Sequence, residues 1–319
     1  MLRFLIRRTF LGVFVMWLIT MAVFALFFVT PNNVARTMAG RQASPQVIEA
    51  IRERLGLDQP VWKQYVDFVW KALHGNLGYD YYYSRPVSEM ITEALPITIS
   101  LAVGAAVIWM VLGVSNGVLS AVFPRSFIDR SLTGFALFFY SMPTFLLGLL
   151  LLYFLYFQLT LAGIRWFPPG GYVHLGDDPW GWFVHMILPW VTLALVLAAT
   201  YTRLTRASML DVLGEDYIRT ARSKGIGERR VVVTHGLRSA LTPVVTQFGI
   251  DLGQLVGGVV VTETVFSLPG LGKTAIDAIT RQDLPVILGI VLFASAAVVV
   301  ANILVDVAYA VLDPRVRLH

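Results

Sequence analysis

The chain lacks cysteine altogether and carries few charged residues. None of its 319 residues is Cys, which excludes disulfide frameworks and thiolate metal sites. Only 14% of the residues are charged and 56% are hydrophobic, a composition outside the range of soluble globular domains. We therefore expect a protein that lies in a membrane.

The sequence also offers no recognisable catalytic pattern. The five histidines show no metal-ligand spacing. Ser267–Thr274 reads SLPGLGKT and departs from the phosphate-binding loop pattern, because Ser267 stands where a glycine is required. This stretch lies between two apolar blocks, whereas a phosphate-binding loop follows a strand in a soluble domain. We interpret it as a tight connecting loop, and we expect neither an enzyme active site nor a metal site in the chain.

The hydrophobic residues are grouped into six blocks, each able to supply the roughly 20 residues that cross a bilayer. The first block also resembles a signal peptide, but its charge-free stretch exceeds the roughly 7–15 residues of a signal core, so we expect a retained anchor. The blocks are Thr9–Pro31, Ile97–Phe123, Ser131–Ile164, Met186–Thr202, Ser239–Thr262 and Leu284–Val305.

These blocks predict an all-α membrane protein of six transmembrane helices with a small helical external segment. We divide the chain into an N-terminal transmembrane anchor helix (residues 1–31), the external segment (32–94) and a core transmembrane domain (95–319). Within the external segment, helices are predicted to start at Ser44-Pro45 and to run from Pro60 to Leu73. The aromatic cluster Tyr79–Tyr83 suits either contact with a docked protein or the membrane interface.

Charge asymmetry predicts the orientation of the spans. Both termini and the loops 124–130 and 203–238 hold 15 of the 25 Lys and Arg but 6 of the 20 acids. Basic residues accumulate on the cytoplasmic side of membrane proteins. We therefore place both termini and these loops in the cytoplasm, and this asymmetry explains the net charge of +5 without nucleic acid as a partner.

The longest charged interruption, Arg203–Arg238, contains a predicted short helix. Gly214 and Gly225 bracket Glu215–Lys224, where acidic residues come first and basic residues last, the order that a helix dipole favours.

One face of this short helix is apolar. It carries Tyr217, Ile218 and Ala221 at helical spacing. A helix below roughly 12–15 residues is marginal in water, so we expect a partner to cover this face. The alternative is a solvated connector that pairs with lipid headgroups.

The fifth block carries a polar stripe. Gln247, Asp251 and Gln254 are spaced by four and three residues, so they share one helix face. A charge at the bilayer centre costs roughly 2.5–3.5 kcal/mol on insertion scales, so Asp251 should face a polar cavity or a partner. We predict that these three residues line a translocation path. The alternative for Asp251 is a buried structural hydrogen bond.

Several motifs resemble those of binding-protein-dependent ABC importer permeases. The sequence EDYIRTARSKG followed by HGLRSALTPVV is similar to their cytoplasmic EAA loop in the dipeptide/oligopeptide/nickel branch. The opening MLRFLIRR, the loop ETVFSLPGLGKTAIDAI and the ending LVDVAYAVLDPRVR extend the resemblance over most of the chain. Against the general form of the loop only Ala221, Gly225 and Leu237 match, and the branch has its own version.

The resemblance implies a fold like that of the methionine-importer permease and a role in ATP-driven import. The chain would move di- or oligopeptides across the cytoplasmic membrane of a prokaryote, with a second homologous permease subunit, two ATP-binding subunits and an extracytoplasmic solute-binding protein. ATP and Mg²⁺ would bind the partner subunits, and membrane lipid would surround the spans. The residues that would contact the ATP-binding subunits are Glu215, Asp216, Tyr217, Ile218, Arg219, Thr220, Ala221, Arg222, Lys224 and Gly225.

Other functions remain open from the residues alone. Nickel or another small solute suits the same frame. An ion-coupled secondary transporter would use the loop as a connector and Asp251 as a proton site, and a membrane-embedded hydrolase would act without partners.

Overall fold

The fold is almost entirely helical in the part of the chain that the structure describes. The computed structural model describes residues 2–25, 44–55, 58–80 and 82–312, with side chains except at 2–5, 51, 54, 55, 253, 254, 256–258 and 304–312. The elements in chain order are α1 (Leu2–Phe24), α2 (Pro45–Leu55), α3 (Val61–Leu73), β1 (Tyr79–Asp80), β2 (Arg85–Pro86), α4 (Val87–Val122), α5 (Phe127–Tyr140), α6 (Thr144–Leu151), a π-helix (Leu152–Gln158), α7 (Leu159–Leu161), α8 (Pro179–Leu213), α9 (Asp216–Ser223), α10 (Glu228–Arg230), a second π-helix (Val231–Gly236), α11 (Leu237–Val265), α12 (Leu271–Arg281) and α13 (Leu284–Leu312).

Two compact units divide these elements. The first unit contains residues 1–96 and 270–319, and the second contains residues 97–269. Helix α4 begins in the first and continues into the second. The predicted domain bounds, including the division at residue 95, stay predictions.

In the first unit, α1 packs along α13. The helices approach closely at Gly12, where a Cβ atom would lie 3.0 Å from the Val299 side chain. Helix α3 packs against α1, with Thr20 Oγ1 and Tyr65 OH 2.9 Å apart. The starts of α2 and α3 agree with the predicted starts at Pro45 and Pro60, because proline is tolerated where a helix begins.

A two-stranded hairpin in the first unit was not predicted. Tyr79 pairs with Pro86 and Asp80 pairs with Arg85 in an antiparallel register. The strands are only two residues each, too short for an alternating pattern to be read from the sequence. The hairpin leads directly into α4, whose first residue, Val87, is fully buried.

The second unit is built around α8. Helix α4 crosses it at close range, because a Cβ atom at Gly113 or Gly117 would overlap Tyr201 or Thr205. Helices α5 and α11 also pack against α8. The buried core between these helices includes Leu101, Trp109, Met186, Tyr201, Val244 and Phe266.

The predicted third span is wrong as a single helix. Its block, Ser131–Ile164, is divided by Ser141–Pro143, so that α5 ends at Tyr140 and α6 begins at Thr144. Proline lacks the N–H that would continue the ladder, and Pro143 takes the N-cap position of α6. Pro96, Pro189 and Pro243 lie inside helices without ending them, so the spans extend beyond their predicted limits.

Five helices in the described residues are long and apolar enough to cross a membrane. These are Ile6–Phe24, Val87–Val122, Thr144–Leu161, Pro179–Leu213 and Leu284–Ile303. The predicted fifth block corresponds to α11, whose 29 residues would extend about 43 Å. Helix α11 has the length of a sixth span, and part of its side chains lie outside the described set.

Candidate functional site

The short helix predicted within the charged loop is present as α9, Asp216–Ser223. Glu215 and Lys224 occupy its N-cap and C-cap positions. Gly225 follows with φ of +76°, a left-handed conformation that glycine adopts without steric cost. Only Gly214 and Glu215 separate α9 from the end of α8.

The chain itself covers two of the three residues on the predicted apolar face of α9, Ile218 and Ala221, which corrects the expectation that a partner must bury them, and Tyr217 is exposed. Ile218 is fully buried and Ala221 is buried beside it. They pack against Leu213 at the end of α8, and against Ile226 and Val231 after the helix. These contacts stabilise a helix that would otherwise be too short, and they leave its other face available.

The outward face of α9 is polar, with one aromatic residue. Tyr217 is 46% exposed and its hydroxyl donates to Ser239 Oγ at 3.2 Å. The remaining predicted contact residues are exposed as well, namely Glu215, Asp216, Arg219, Thr220, Arg222, Lys224 and Gly225.

Exposed ion pairs link residues within the loop 203–238. Arg222 donates two hydrogen bonds to Glu228, at 2.7 and 3.1 Å. The bonds with Arg222 lower the pKa of the Glu228 carboxyl from its ordinary value. Arg219 and Asp216 pair one helical turn apart at 3.4 Å. The Arg222–Glu228 pair therefore joins α9 to α10.

The predicted path residues have partners inside the second unit. Asp251 Oδ2 accepts a hydrogen bond from the Tyr201 hydroxyl at 2.8 Å, and Asp251 Oδ1 accepts one from Gln247 Nε2 at 2.8 Å. The side chains of Gln247 and Asp251 are half-buried, and the side chain of Gln254 lies outside the described set. Each oxygen of the Asp251 carboxylate therefore accepts a hydrogen bond, although the helices α8 and α11 that carry these residues are largely apolar.

An aromatic layer lies beside this carboxylate. The Trp109 ring is 6.2 Å from the Tyr201 ring and 5.9 Å from the Phe248 ring. Trp109 is fully buried, and its indole N–H has no hydrogen-bond partner among the described residues. Tyr201 therefore contacts both the carboxylate and this layer.

A buried carboxylate, Asp129, was missed in the sequence. It lies at the start of α5 and accepts hydrogen bonds from Nε and Nη2 of Arg206 on α8, at 2.7 and 2.8 Å. The bonds with the Arg206 guanidinium hold the pKa of the Asp129 carboxyl well below its usual range. The available signal was Ser126 three residues before Asp129, an N-cap pattern that places Asp129 in a first helical turn.

A further buried acid, Glu263, lies near the end of α11. It is fully buried, and its Oε1 atom accepts a hydrogen bond from Thr98 Oγ1 of α4 at 2.6 Å. The pair ties the two helices together at this end of the second unit.

The tyrosine cluster belongs to the first unit. Tyr82 and Tyr83 are exposed, and the Arg281 guanidinium lies 5.2 Å and 4.8 Å from their ring centroids. Asp80 is buried beneath them and accepts hydrogen bonds from both backbone N–H groups. Tyr81 lies outside the described residues.

Two acids meet below this cluster. Burial raises the pKa of the Asp283 carboxyl to about 6, and a hydrogen bond with the Asp80 carboxyl adds to the rise. The Arg281 guanidinium acts in the opposite direction.

The SLPGLGKT stretch has a structural use. Gly270 caps α12, and Thr274 Oγ1 donates to the Gly270 carbonyl at 2.8 Å. The preceding regular element is the helix α11, whereas a phosphate-binding loop would follow a strand. Lys273 pairs with Asp277 at 3.3 Å. Among the described residues, no three His, Asp or Glu side chains are grouped as a metal site would require.

Comparison with known proteins gives matches over nearly the whole chain. A putative peptide transport system permease protein of Brucella abortus (strain 2308) is 42% identical over 313 residues, covering 98% of each chain. A probable peptide ABC transporter permease protein of Sinorhizobium fredii is 39% identical over 314 residues, covering 98% of this chain and 99% of that protein. The dipeptide transport system permease protein DppB of Escherichia coli K12 is 39% identical over 342 residues, covering 99% of both.

Comparisons with solved structures and with family models gave further matches. A structure of the MetNI methionine ABC transporter in an inward-facing conformation aligns with a TM-score of 0.46 at 20% identity, covering 67% of this chain and 96% of that one. Residues 1–102 match the N-terminal part of the binding-protein-dependent transport system membrane components. Residues 113–318 match the binding-protein-dependent transport system inner membrane component family. The chain therefore belongs to the family of binding-protein-dependent transport system inner membrane components.

Proposed function

We propose that this chain is the membrane-spanning permease subunit of an ATP-driven importer of di- or oligopeptides. The observation that carries the proposal is full-length identity of 39–42% to proteins named as peptide or dipeptide transport permeases. Membership of a binding-protein-dependent family favours import driven by partner subunits over an ion-coupled carrier or a hydrolase. ATP and Mg²⁺ would bind the partners.

The proposed contact with an ATP-binding subunit is the outward face of α9. The buried residues Ile218 and Ala221 fix the helix to the end of α8, and the exposed residues Tyr217, Arg219 and Thr220 remain available to the partner. A movement of the partner would then act on α8 through Leu213. Ile218 and Ala221 thus have an anchoring role in place of the contact role expected from the sequence.

The proposed complete importer contains two permease subunits, two ATP-binding subunits and a solute-binding protein. The excess of basic residues in the loop 203–238 supports a cytoplasmic position for α9 and for both termini. The hairpin with Tyr82 and Tyr83 would then face the opposite side, where a solute-binding protein would dock.

For the translocation path we propose the face of α11 that carries Gln247, Asp251 and Gln254. Asp251 is half-buried, so its carboxylate is not sealed in the core. A peptide presents an ammonium group and amide N–H groups, which a carboxylate and a glutamine carbonyl can accept. Such contacts would replace those with Tyr201 and Gln247 described above.

The proposal can be tested in proteoliposomes that contain the purified complex of this chain with its co-expressed partners. We expect uptake of a labelled dipeptide that requires both ATP and the solute-binding protein. Arg219→Glu on the exposed face of α9 should reduce binding of the ATP-binding subunit, because it reverses a charge on the proposed contact face.

The matched control is Lys63→Glu, an equally exposed reversal on α3. Uptake of nickel in place of peptide would change the proposed substrate. Uptake by the single chain under an ion gradient without ATP would refute the proposal of an ATP-driven importer.

A further inference from the structure

The junction around Asp129 joins three segments of the second unit. Asp129 receives hydrogen bonds from Ser120 Oγ of α4 at 2.6 Å, from the Arg125 backbone N–H at 2.9 Å and from two nitrogens of Arg206. The Asp129 side chain is only 7% exposed. Both carboxylate oxygens accept from a planar guanidinium, so this pair fixes orientation as well as distance.

Helix α5 is separated from the rest of the chain at both ends. The turn Pro124–Ser126 precedes it, and the non-helical residues Ser141–Pro143 follow it. Helix α5 is therefore not continuous with α4 or α6, and these helices do not fix its orientation through the backbone. It packs along α8, and the Asp129–Arg206 pair fixes its first turn to α8.

Helix α8 connects Arg206 to the short helix α9. Arg206 lies seven residues before Leu213 on the uninterrupted helix α8, a rise of about 10 Å. Leu213 packs against the buried face of α9. A displacement of α9 therefore reaches Arg206 through two turns of helix.

We propose that Arg206 and Asp129 are positioning residues that make α5 follow α8 when α9 is displaced. This inference rests on the proposed function, in which an ATP-binding subunit moves α9. A buried ion pair is weak evidence for stability, because apolar residues of similar volume often replace such a pair without loss. What an apolar pair cannot supply is the fixed, two-point orientation of α5 on α8.

This argument defines the variant that separates coupling from folding. The double substitution Arg206→Met with Asp129→Leu removes both charges together and leaves no unpaired buried carboxylate. We expect the double variant to fold and to bind the ATP-binding subunits. We also expect the ATP hydrolysed per peptide imported to rise on the order of tenfold, since coupling energies of 1–3 kcal/mol correspond to roughly 5–150-fold.

Two further variants provide controls. Arg203→Met removes an exposed charge one turn earlier on α8 and should leave the ratio unchanged. Arg206→Lys keeps the charge but loses the bidentate geometry, so it should give an intermediate ratio. An unchanged ratio in the double variant would overturn the proposal.

A distance measurement tests the same point even where transport is lost. Because the chain has no native cysteine, Phe127→Cys on α5 and Ala207→Cys on α8 give two unique spin-label sites, both exposed. We expect one narrow distance distribution with and without ATP when the ion pair is intact. The double substitution should broaden that distribution.

Equal distributions with and without the ion pair would also overturn the proposal. Failure of the unsubstituted chain to bind any ATP-binding subunit would instead refute the proposed function. The two failures can be told apart, because the label distance in the resting chain reports on the ion pair without a partner.

Discussion

Two ion pairs in the second unit show how position decides what a pair does. Arg206–Asp129 and Arg222–Glu228 are both bidentate and have the same shortest distance of 2.7 Å. The Asp129 side chain is 7% exposed, whereas that of Glu228 is 57% exposed. Water can replace the partner of Glu228 but not that of Asp129. The two pairs should therefore contribute different free energies to stability despite their similar geometry.

The largest expected effect comes from removing one partner at the buried junction. Arg206→Ala leaves the Asp129 carboxylate buried without its cation, and we expect a loss of about 3–5 kcal/mol in the free energy of unfolding. Thermal unfolding of the purified chain in detergent measures this loss. The double substitution Arg206→Met with Asp129→Leu should recover most of it. A loss below about 1 kcal/mol for Arg206→Ala would remove the contrast between the two pairs.

The next effect concerns the apolar anchor of α9. Ile218→Ala removes a fully buried side chain, and core substitutions of this kind cost about 2–5 kcal/mol. We expect faster amide hydrogen exchange over residues 216–223, because this helix depends on its cover from Leu213 and Val231. The neighbouring substitution Tyr217→Ala, on the exposed face, is the control and should change exchange little. Equal exchange in both variants would show that the apolar face does not hold the helix.

A smaller effect is expected from the Asp80–Asp283 acid pair in the first unit. The pKa of Asp283 is about 6 in the folded chain against an ordinary value of 3.8, so the folded state holds a proton more tightly. The contribution of Asp283 to stability should therefore be fully present below about pH 4 and be lost as the pH rises through 6. Solvent screening limits the change to roughly 1 kcal/mol.

The control for this pH dependence is Asp283→Asn, which cannot ionise. The groups that act on Asp283 are the Asp80 carboxyl, the Val286 backbone N–H and the Arg281 guanidinium. Unfolding temperatures of both proteins between pH 4 and pH 7 provide the measurement. A decline that persists in Asp283→Asn would assign the pH dependence to other groups.

The smallest effect is expected at the exposed pair. Glu228→Gln should lower stability by no more than about 0.5–1 kcal/mol, since exposed pairs contribute little. The difference between the two proteins should shrink further in high salt, because the charges are screened. A loss as large as that of Arg206→Ala would mean that exposure does not distinguish the two pairs.

The sequence predicted those features that depend on local signals. Gly214 and Gly225 bracket the short helix α9, and Pro45 and Pro60 mark the starts of α2 and α3. Gly225 and the two prolines act through the conformation of the residue itself, whereas Gly214 has an ordinary helical conformation. Four apolar blocks likewise located helices long and apolar enough to cross a membrane, whereas the third block located such a helix only in part.

Features that depend on residues distant in the chain could not be read from the sequence. Arg206 and Asp129 are 77 residues apart, and nothing in either neighbourhood indicates that they meet. The cover of Ile218 by Val231 depends on how the loop folds back. The break before Pro143 could not be read from the sequence, because Pro96 and Pro189 show that proline within an apolar block does not always end a helix.

The π-helix Val231–Gly236 has a consequence for the length of the loop. It joins α10 to α11 without an interruption, and a π-turn accommodates about one residue more than an α-turn. A chain shortened by one residue within this stretch can close as regular α-helix. The phase of Asp251 relative to Arg230 would then be preserved, so we expect the helix to tolerate a change of length at this turn.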